Sequence, residues 1–418
     1  MNPLLAFSGL PRFSEIKPEH VAPAVDKLLA ECRATVENVS DAVPAWDNFV
    51  LPMDDTNERL SRAWGQVAHL NAVMNNPDLR AAYNENLPKI TQYHSELAQN
   101  VALFEKYKAL KASSEFERLN GAQKKIIANE LRDFRLGGAE LPSQEKARFM
   151  EIQEELAKLS AKFEENLLDA TNEFSLFIAD RTEVSGIPED VLKAAEEAAK
   201  KENQSGWKFT LHAPSYIPVM QYADNRELRH KMYRAFATRA SEFGKPEWDN
   251  APLITRILKL RREKARLLGF ESYAEFSLAR KMADTPAEVL EFLKQLAARA
   301  KPYALRDYNE LVEFAREHLD LPRLEPWDIP YVSEKLRIAR YAFSDQEVKQ
   351  YFPEPRVLHG LFTLVDTLYG LRIEQEPAPI WHPDVKFFAI RDRDGNAIGK
   401  FYLDLYARDS KRGGAWMD

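Results

Sequence analysis

The chain has 418 residues, of which 45% are hydrophobic and 29% charged. This composition is typical of a folded globular protein rather than a disordered or fibrous one. Its 58 basic and 65 acidic side chains give a formal net charge of −7. That balance argues against a protein whose partner is nucleic acid or an anionic membrane surface.

Cys32 is the single cysteine, which excludes an intrachain disulfide and a zinc site built from several thiolates. No stretch free of charged residues reaches the roughly 20 apolar residues of a membrane-spanning helix. The N-terminus also lacks the basic start of a secretory signal. We therefore predict a cytoplasmic protein without a membrane partner.

The first two-thirds of the sequence predicts a series of helices. One helix is expected to begin at Pro18, and a much longer one to run from 143 to about 177. Its apolar residues recur every three or four positions and are Phe149, Ile152, Leu156, Leu159, Phe163, Leu167, Ala170, Phe174 and Phe177. Such a stripe needs a partner helix, and we expect a neighbouring helix of the same chain rather than a dimerisation coil.

Two further helices have clear start signals. Thr285 with Glu288, and Ser344 with Glu347, both match the capping-box pattern. The face expected to be buried after the first signal consists of Leu290, Leu293, Leu296 and Ala297. A helix carrying Val357, Leu361, Leu364, Val365 and Leu368 is expected to end at Gly370.

The pattern changes to strands near residue 371. Segments 371–373, 385–391 and 398–405 alternate like strands, and Asp394-Gly395 predicts a hairpin turn between the last two. A further strand is expected to begin at 414–416. We predict a mostly α fold that divides into a helical region, 1–370, and the opening strands of an incomplete domain, 371–418. In such a sheet the following apolar side chains are expected to lack cover: Phe387, Phe388, Phe401, Leu403 and Trp416.

The sequence contains none of the common catalytic motifs. None of its eight histidines is followed by Glu and no two are four residues apart, so it has no His-Glu-x-x-His zinc motif. His382 and Asp384 are interpreted as a hydrogen-bonded structural pair rather than a metal site. The basic run at 256–266 is interpreted as a solvated helix face rather than a site for acidic ligands. We therefore assign no catalytic residue and no metal ligand.

Two segments near the C-terminus resemble a known family. The sequences FYLDLYAR at 401–408 and KRGGAW at 411–416 are similar to the segment that precedes the zinc motif in the thimet oligopeptidase family, closest to its oligopeptidase A branch. Further matches lie at 2–25, 129–141, 276–286, 326–335 and 381–385, so that the resemblance covers the whole chain.

The resemblance implies a zinc metallopeptidase that cleaves short oligopeptides, including signal-peptide remnants, in a channel between two largely helical halves. It also implies a zincin-type fold of long paired helices and an intact enzyme that is a monomer. The family holds zinc through two histidines of His-Glu-x-x-His and a downstream Glu, and this chain contains no such motif. We therefore expect a chain that ends before the zinc motif, holds no zinc ligand and is inactive alone.

The resemblance also implies a substrate-binding edge at Gly413, Gly414, Ala415 and Trp416. An extended peptide could pair there with the main chain, and the small residues would permit close approach. Alternatively, the two glycines only form the turn into a strand. The function likewise stays open between a piece of a zinc peptidase and a non-catalytic helical module that binds peptides or a protein partner.

Overall fold

The protein is described by a computed structural model that covers residues 2–40 and 43–417. These residues form mostly α-helices, as predicted. The helices are α1 (Val21–Ser40), α2 (Leu51–Val73), α3 (Pro77–Ala98), α4 (Val101–Lys111), α5 (Ser114–Arg118), α6 (Gly121–Leu136), α7 (Ser143–Glu173), α8 (Glu189–Lys201), α9 (Ala213–Tyr222), α10 (Arg226–Ala237), α11 (Ala251–Leu267), α12 (Tyr273–Leu278), α13 (Pro286–His318), α14 (Ile329–Tyr341), α15 (Asp345–Lys349) and α16 (Glu354–Tyr369). The strands are β1 (Ser175–Ile178), β2 (Trp207–Thr210), β3 (Arg372–Gln375), β4 (Lys386–Arg391) and β5 (Ala397–Leu403).

The first three helices share one hydrophobic core. A short 3-10 turn, Pro18–His20, leads into α1 as the sequence predicted. The buried apolar side chains of α1 pack with Leu60 and Val67 of α2 and with Ile90 of α3. Cys32 lies in this core, and burial raises the pKa of its thiol. The cysteine is therefore held in its neutral, unreactive form.

Helix α7 packs between α3 and α11, which confirms internal pairing of the long helix. Charged contacts reinforce both sides: Arg80 of α3 binds Asp169 at 2.8 Å, and Arg148 binds Glu263 of α11 at 2.6 Å. The basic run on α11 contributes to this interface, since Arg256 contacts a carboxylate of α7. The predicted end of α7, at about residue 177, is wrong.

Helix α7 stops at Glu173, and the last two residues of the predicted stripe lie outside it. Phe174 follows the helix directly, and Phe177 belongs to β1, which pairs antiparallel with β2. Strand pairing satisfies the backbone groups that a longer helix would have satisfied. The strand alternation then buries Ile178 and leaves Phe177 exposed.

A buried charge cluster joins α10 to the start of α14. Asp328, which is fully buried, accepts hydrogen bonds from Arg229 at 2.8 Å and from Arg226 at 2.7 Å. Burial alone would raise the pKa of Asp328, but the two guanidinium groups outweigh it and the pKa lies below its usual range. The cluster keeps Asp328 ionised and fixes α14 against α10.

The predicted buried face of α13 is wrong. The helix begins as expected, because the Thr285 hydroxyl accepts a hydrogen bond from the Glu288 N–H at 3.2 Å. However, Leu290, Leu293 and Leu296 are about half exposed, and Ala297 is exposed too. The apolar spacing identifies one face of the helix, but no other described residue buries it. The C-terminal part of α13 packs against α14.

Helix α16 also has an apolar face that is exposed. It ends at Gly370, whose φ of 67° lies in the left-handed region, as the sequence predicted. Its apolar residues Val357, Leu361, Leu364 and Leu368 are nevertheless exposed. The two helices therefore present two apolar faces that the rest of the described chain leaves uncovered.

The three C-terminal strands form an antiparallel sheet in the order β3-β4-β5. The predicted hairpin turn between β4 and β5 is confirmed: Asp392 accepts the N–H groups of Asp394 and Asn396, and Gly395 has φ 86°. The expectation that Phe387 and Phe388 lack cover is wrong. Both are buried, because aromatic rings of β5 and α16 pack on them.

The strand predicted at 414–416 is absent from the described residues. Gly414 has φ 117°, outside the extended region that a strand requires. Just before this point, the backbone N–H of Arg412 donates to a carbonyl of α2 rather than to a neighbouring strand.

Candidate functional site

Residues 404–412, which follow β5 and are called here the C-terminal segment, cross the end of α2. The Arg412 N–H donates to the Ala72 carbonyl at 2.8 Å, and the Asn75 N–H donates to the Ser410 carbonyl at 2.8 Å. The Arg408 guanidinium donates twice to the Val73 carbonyl, at 3.0 and 3.1 Å. The last carbonyls of a helix have no partner within it, so the C-terminal segment caps α2. The arginine also places a positive charge at the negative end of the helix dipole.

Asp404 organises this segment. Its carboxylate binds the Arg408 guanidinium through two hydrogen bonds of 2.8 and 2.7 Å and the Trp381 indole N–H at 3.0 Å. The Lys411 ammonium lies 3.1 Å from the same carboxylate and donates to the Asp404 carbonyl at 2.8 Å. Burial alone would raise the pKa of Asp404, but these donors outweigh it and hold the pKa far below its usual range.

The C-terminal segment also contacts the end of α7. The Asn172 amide donates to the Asp409 carbonyl at 2.8 Å, and the Arg412 guanidinium lies 3.0 Å from the Glu164 carboxylate. On the far side, His212 Nε2 lies 4.0 Å from the Asp409 carboxylate. Burial and nearby cations lower the pKa of His212, so this contact is not an ion pair at neutral pH. The segment thus bridges α2 and α7.

An aromatic cluster fastens the sheet to the N-terminal helices. The rings of Phe13, Trp381 and Tyr402 lie within 6 Å of one another, with edge-on contacts between Phe13 and the other two. His382, beside Trp381, lies 3.5 Å from the Asp384 carboxylate and accepts the Asp384 backbone N–H. This geometry is that of the structural pair predicted from the sequence.

The four residues predicted to bind substrate directly follow the C-terminal segment. Gly413, Gly414, Ala415 and Trp416 are all exposed, and the Arg412 guanidinium lies 5.0 Å over the Trp416 ring. Their backbone N–H and carbonyl groups make no hydrogen bond to another described residue. A side-chain Cβ added at Gly413 would meet nothing within 4 Å. These backbone groups are therefore unpaired within the described part of the chain, directly after a segment held by the contacts of residues 404–412.

Sequence reasoning missed Asp404 and Arg408. Both lie within FYLDLYAR, which carried the resemblance, and the spacing of four between an acid and a base is a weak signal outside a helix. The partner of Arg408, the Val73 carbonyl, lies 335 residues earlier in the chain. A backbone acceptor so distant leaves no trace in the local sequence.

Within the described ranges, no group of three or more His, Cys, Asp or Glu side chains could hold a metal ion. The donor set present does not fit the zinc ion that the resemblance implies. No helix in the described part of the chain is long and apolar enough to cross a membrane.

Comparison with known proteins identifies the family of this mostly helical chain. The profile "Peptidase family M3" matches residues 219–418, and "Neurolysin/Thimet oligopeptidase, N-terminal domain" matches residues 25–146. The chain belongs to peptidase family M3, as the resemblance predicted.

Similar proteins match along the whole chain. Oligopeptidase A of Haemophilus influenzae is 47% identical over all of this chain and 62% of its own length, and that of Escherichia coli is 44% identical over the same shares. An organellar oligopeptidase A of Arabidopsis thaliana is 38% identical over all of this chain and 54% of its own. The chain thus spans under two-thirds of the length of these relatives.

Proposed function

We propose that this chain forms the helical channel wall of an oligopeptidase A-like zinc metallopeptidase that cleaves short peptides, including signal-peptide remnants. The observation that carries the proposal is 47% identity to an oligopeptidase A in an alignment that spans the whole chain. We further propose that residues 1–370 form the wall and that 371–418 begin the catalytic domain. Location in the cytoplasm and a monomeric intact enzyme are part of the same proposal.

The 418 residues are proposed to be inactive alone. They contain no His-Glu-x-x-His sequence, which the family uses for zinc and for the general base. Zinc and the catalytic groups would come from the part of the family enzyme that this chain does not span. No chemical step is assigned to the residues present.

The role proposed for Gly413, Gly414, Ala415 and Trp416 is to bind the peptide backbone. Support comes from the exposed, unpaired backbone of 413–416 and from the rigid attachment of the residues before it. Main-chain pairing binds peptides of many sequences, as a peptide-degrading enzyme requires.

A binding experiment tests this role. A fluorescein-labelled extended peptide is titrated with the chain, and the anisotropy is followed for the wild type, Ala415→Pro and Ala415→Ser. Proline removes one backbone donor, so binding should weaken about 2- to 10-fold, while serine keeps the donor and should bind like the wild type. Equal affinity of the proline variant would contradict the role.

A second candidate function is a non-catalytic helical module that binds a protein partner. The exposed apolar faces of α13 and α16 favour it, since large exposed apolar surfaces mark interaction sites. The two candidates differ in one result. A zinc-dependent peptidase activity that appears when the missing part is supplied supports the first, and a stable complex without such activity supports the second.

A further inference from the structure

A cavity of about 450 Å³ lies where α7 ends, between β1, α10 and the loop before α11. Its wall includes apolar surface from Phe174 and Trp248 and polar groups from Arg239, Lys245 and Glu173. Lys245 and Glu173 form an ion pair with each other, so their charges cancel locally. Arg239 is the remaining charge on the wall.

Arg239 is half-buried and has no carboxylate partner among the described residues. Its Nε donates to the Phe236 carbonyl at 3.0 Å and its Nη1 to the Thr171 hydroxyl at 3.1 Å, while Nη2 donates to no described residue. The guanidinium lies 3.7 Å from the centre of the Phe236 ring, which stacks on Tyr216. The group is therefore held in place with one nitrogen free.

Other poorly exposed arginines of this chain are treated differently. Arg80 binds Asp169, Arg229 binds Asp328 and Arg408 binds Asp404. Burial without such a partner lowers the pKa of Arg239. A desolvated cation gains most from an anion with which it can form charge-assisted hydrogen bonds.

The cavity adjoins the C-terminal segment. Thr171, which binds Arg239, is followed by Asn172, which binds the Asp409 carbonyl. The exposed Asp409 carboxylate already lies 4.0 Å from His212, beside the same cavity wall. A carboxylate of the chain itself thus lies on this side of the molecule.

We propose that Arg239 anchors a subsite for a carboxylate of a bound oligopeptide, with Trp248 and Phe174 contacting the adjoining residue. The carboxylate is either the peptide's C-terminus or an acidic side chain. This inference rests on the proposed peptide-binding function and deepens it, because it gives the site a preference that main-chain pairing cannot provide.

Three labelled peptides of one neutral sequence test the subsite: one with a free C-terminal carboxylate, one amidated, and one amidated with a single Glu. They are titrated with the wild type, Arg239→Gln, Arg239→Lys and the control Arg234→Gln, which changes an exposed arginine of α10, shortly before Arg239 in the chain. We expect the wild type and Arg234→Gln to favour at least one carboxylate peptide over the amide by about tenfold. Arg239→Gln should lose this preference, and Arg239→Lys should keep part of it.

Preference for the free terminus or for Glu identifies the source of the carboxylate. Equal binding of all three peptides by the wild type, or an unchanged preference in Arg239→Gln, overturns the subsite. If Ala415→Pro weakens the binding of all three peptides while the wild type binds the three equally, the proposed function stands and the subsite is wrong.

A peptide-free measurement separates the two claims. Saturation-transfer NMR with N-acetylglycine detects the subsite directly, with N-acetylglycinamide as the neutral comparison. A signal for the acid that disappears in Arg239→Gln but persists in Arg234→Gln supports the subsite even if no peptide binds along 413–416. An equal signal in the two variants contradicts it.

Discussion

Helices α1 and α13 have similar apolar spacing and opposite burial. Val21, Leu28 and Cys32 of α1 are fully buried beneath α2 and α3, whereas Leu293 and Leu296 of α13 are half exposed. Spacing therefore predicts which face of a helix is apolar, but it does not predict that the same chain covers that face. Cover depends on what lies opposite in three dimensions.

The apolar faces of α13 and α16 are both exposed. Isolated exposed apolar residues are normal on a protein surface, but contiguous ones mark binding surfaces. The exposed apolar residues of the two helices are Leu290, Phe292, Leu293, Leu296, Tyr303, Leu305, Tyr308, Val357, Leu361, Leu364, Leu368 and Tyr369. Under the first proposed function these faces contact the portion of the family enzyme that this chain does not span, and under the second they contact a separate protein partner.

The largest expected effect on stability lies at the buried charge cluster around Asp328. Asp328→Ala leaves Arg226 and Arg229 without their carboxylate, and Arg229 is fully buried. Loss of one member of a buried pair should lower the free energy of unfolding by about 3–5 kcal/mol, measured by urea titration. Asp307→Ala, at an exposed pair, should change it by under about 0.5 kcal/mol. Equal effects would contradict the conclusion that this buried cluster fixes α14 against α10.

Paired leucine truncations sharpen the comparison itself. Leu260 of α11 is fully buried, and Leu293 of α13 is half exposed. Leu260→Ala should cost about 2–5 kcal/mol of unfolding free energy because it leaves a cavity. Leu293→Ala should cost less than about 0.5 kcal/mol in the isolated chain. A large loss with Leu293→Ala would mean that the chain covers this face in solution.

The capping of α2 predicts a pH dependence. Because the pKa of Asp404 is lowered on folding, its contribution is complete above the ordinary carboxyl pKa of about 3.9 and is lost as the pH falls through the lowered value. Asp404→Asn should cost about 1–3 kcal/mol at neutral pH and flatten the decline below pH 4. Asp394→Asn, in the exposed hairpin, serves as the control. An unchanged acid decline in Asp404→Asn would exclude Asp404 as its cause.

The smallest effect is expected at the outer contact of the C-terminal segment. Both members of the Arg412–Glu164 pair are largely exposed, so Arg412→Gln should cost under about 1 kcal/mol. Its backbone N–H still caps α2. Hydrogen exchange of that amide should therefore stay slow in Arg412→Gln, and fast exchange would show that the side chain holds the segment.

Local signals in the sequence predicted local structure well. The cap at Thr285, the glycine at Gly370 and the Asp394-Gly395 hairpin all stand where they were expected, because each depends on a few neighbouring residues. The end of α7 was missed because β2 pairs with the backbone of residues 175–178. The strand expected at 414–416 is absent because Gly414 has φ 117° and the backbone before it, at Ser410 and Arg412, is bound at the end of α2.

The candidate site was predictable only through resemblance. Gly413 to Trp416 carry no catalytic chemistry, and their backbone exposure is visible only in three dimensions. Asp404 has no distinguishing sequence signal, since its importance comes from Trp381, Arg408 and Lys411 meeting on one carboxylate. Arg239 stands out because it has no carboxylate partner among the described residues, and no sequence pattern predicts that.

Complementation tests the central claim most directly. The chain is mixed with zinc and with a separately purified polypeptide that carries the part of the Haemophilus influenzae relative that this chain does not span. Cleavage of a quenched fluorescent peptide is followed with and without chelator, for the wild type, Leu293→Glu with Leu364→Glu, and the control Lys294→Glu. Our account predicts chelator-sensitive cleavage by the mixture, by neither piece alone, retained in the control and lost in the double variant. A soluble complex of the two pieces that never cleaves the peptide, or activity unchanged by the double variant, would contradict it.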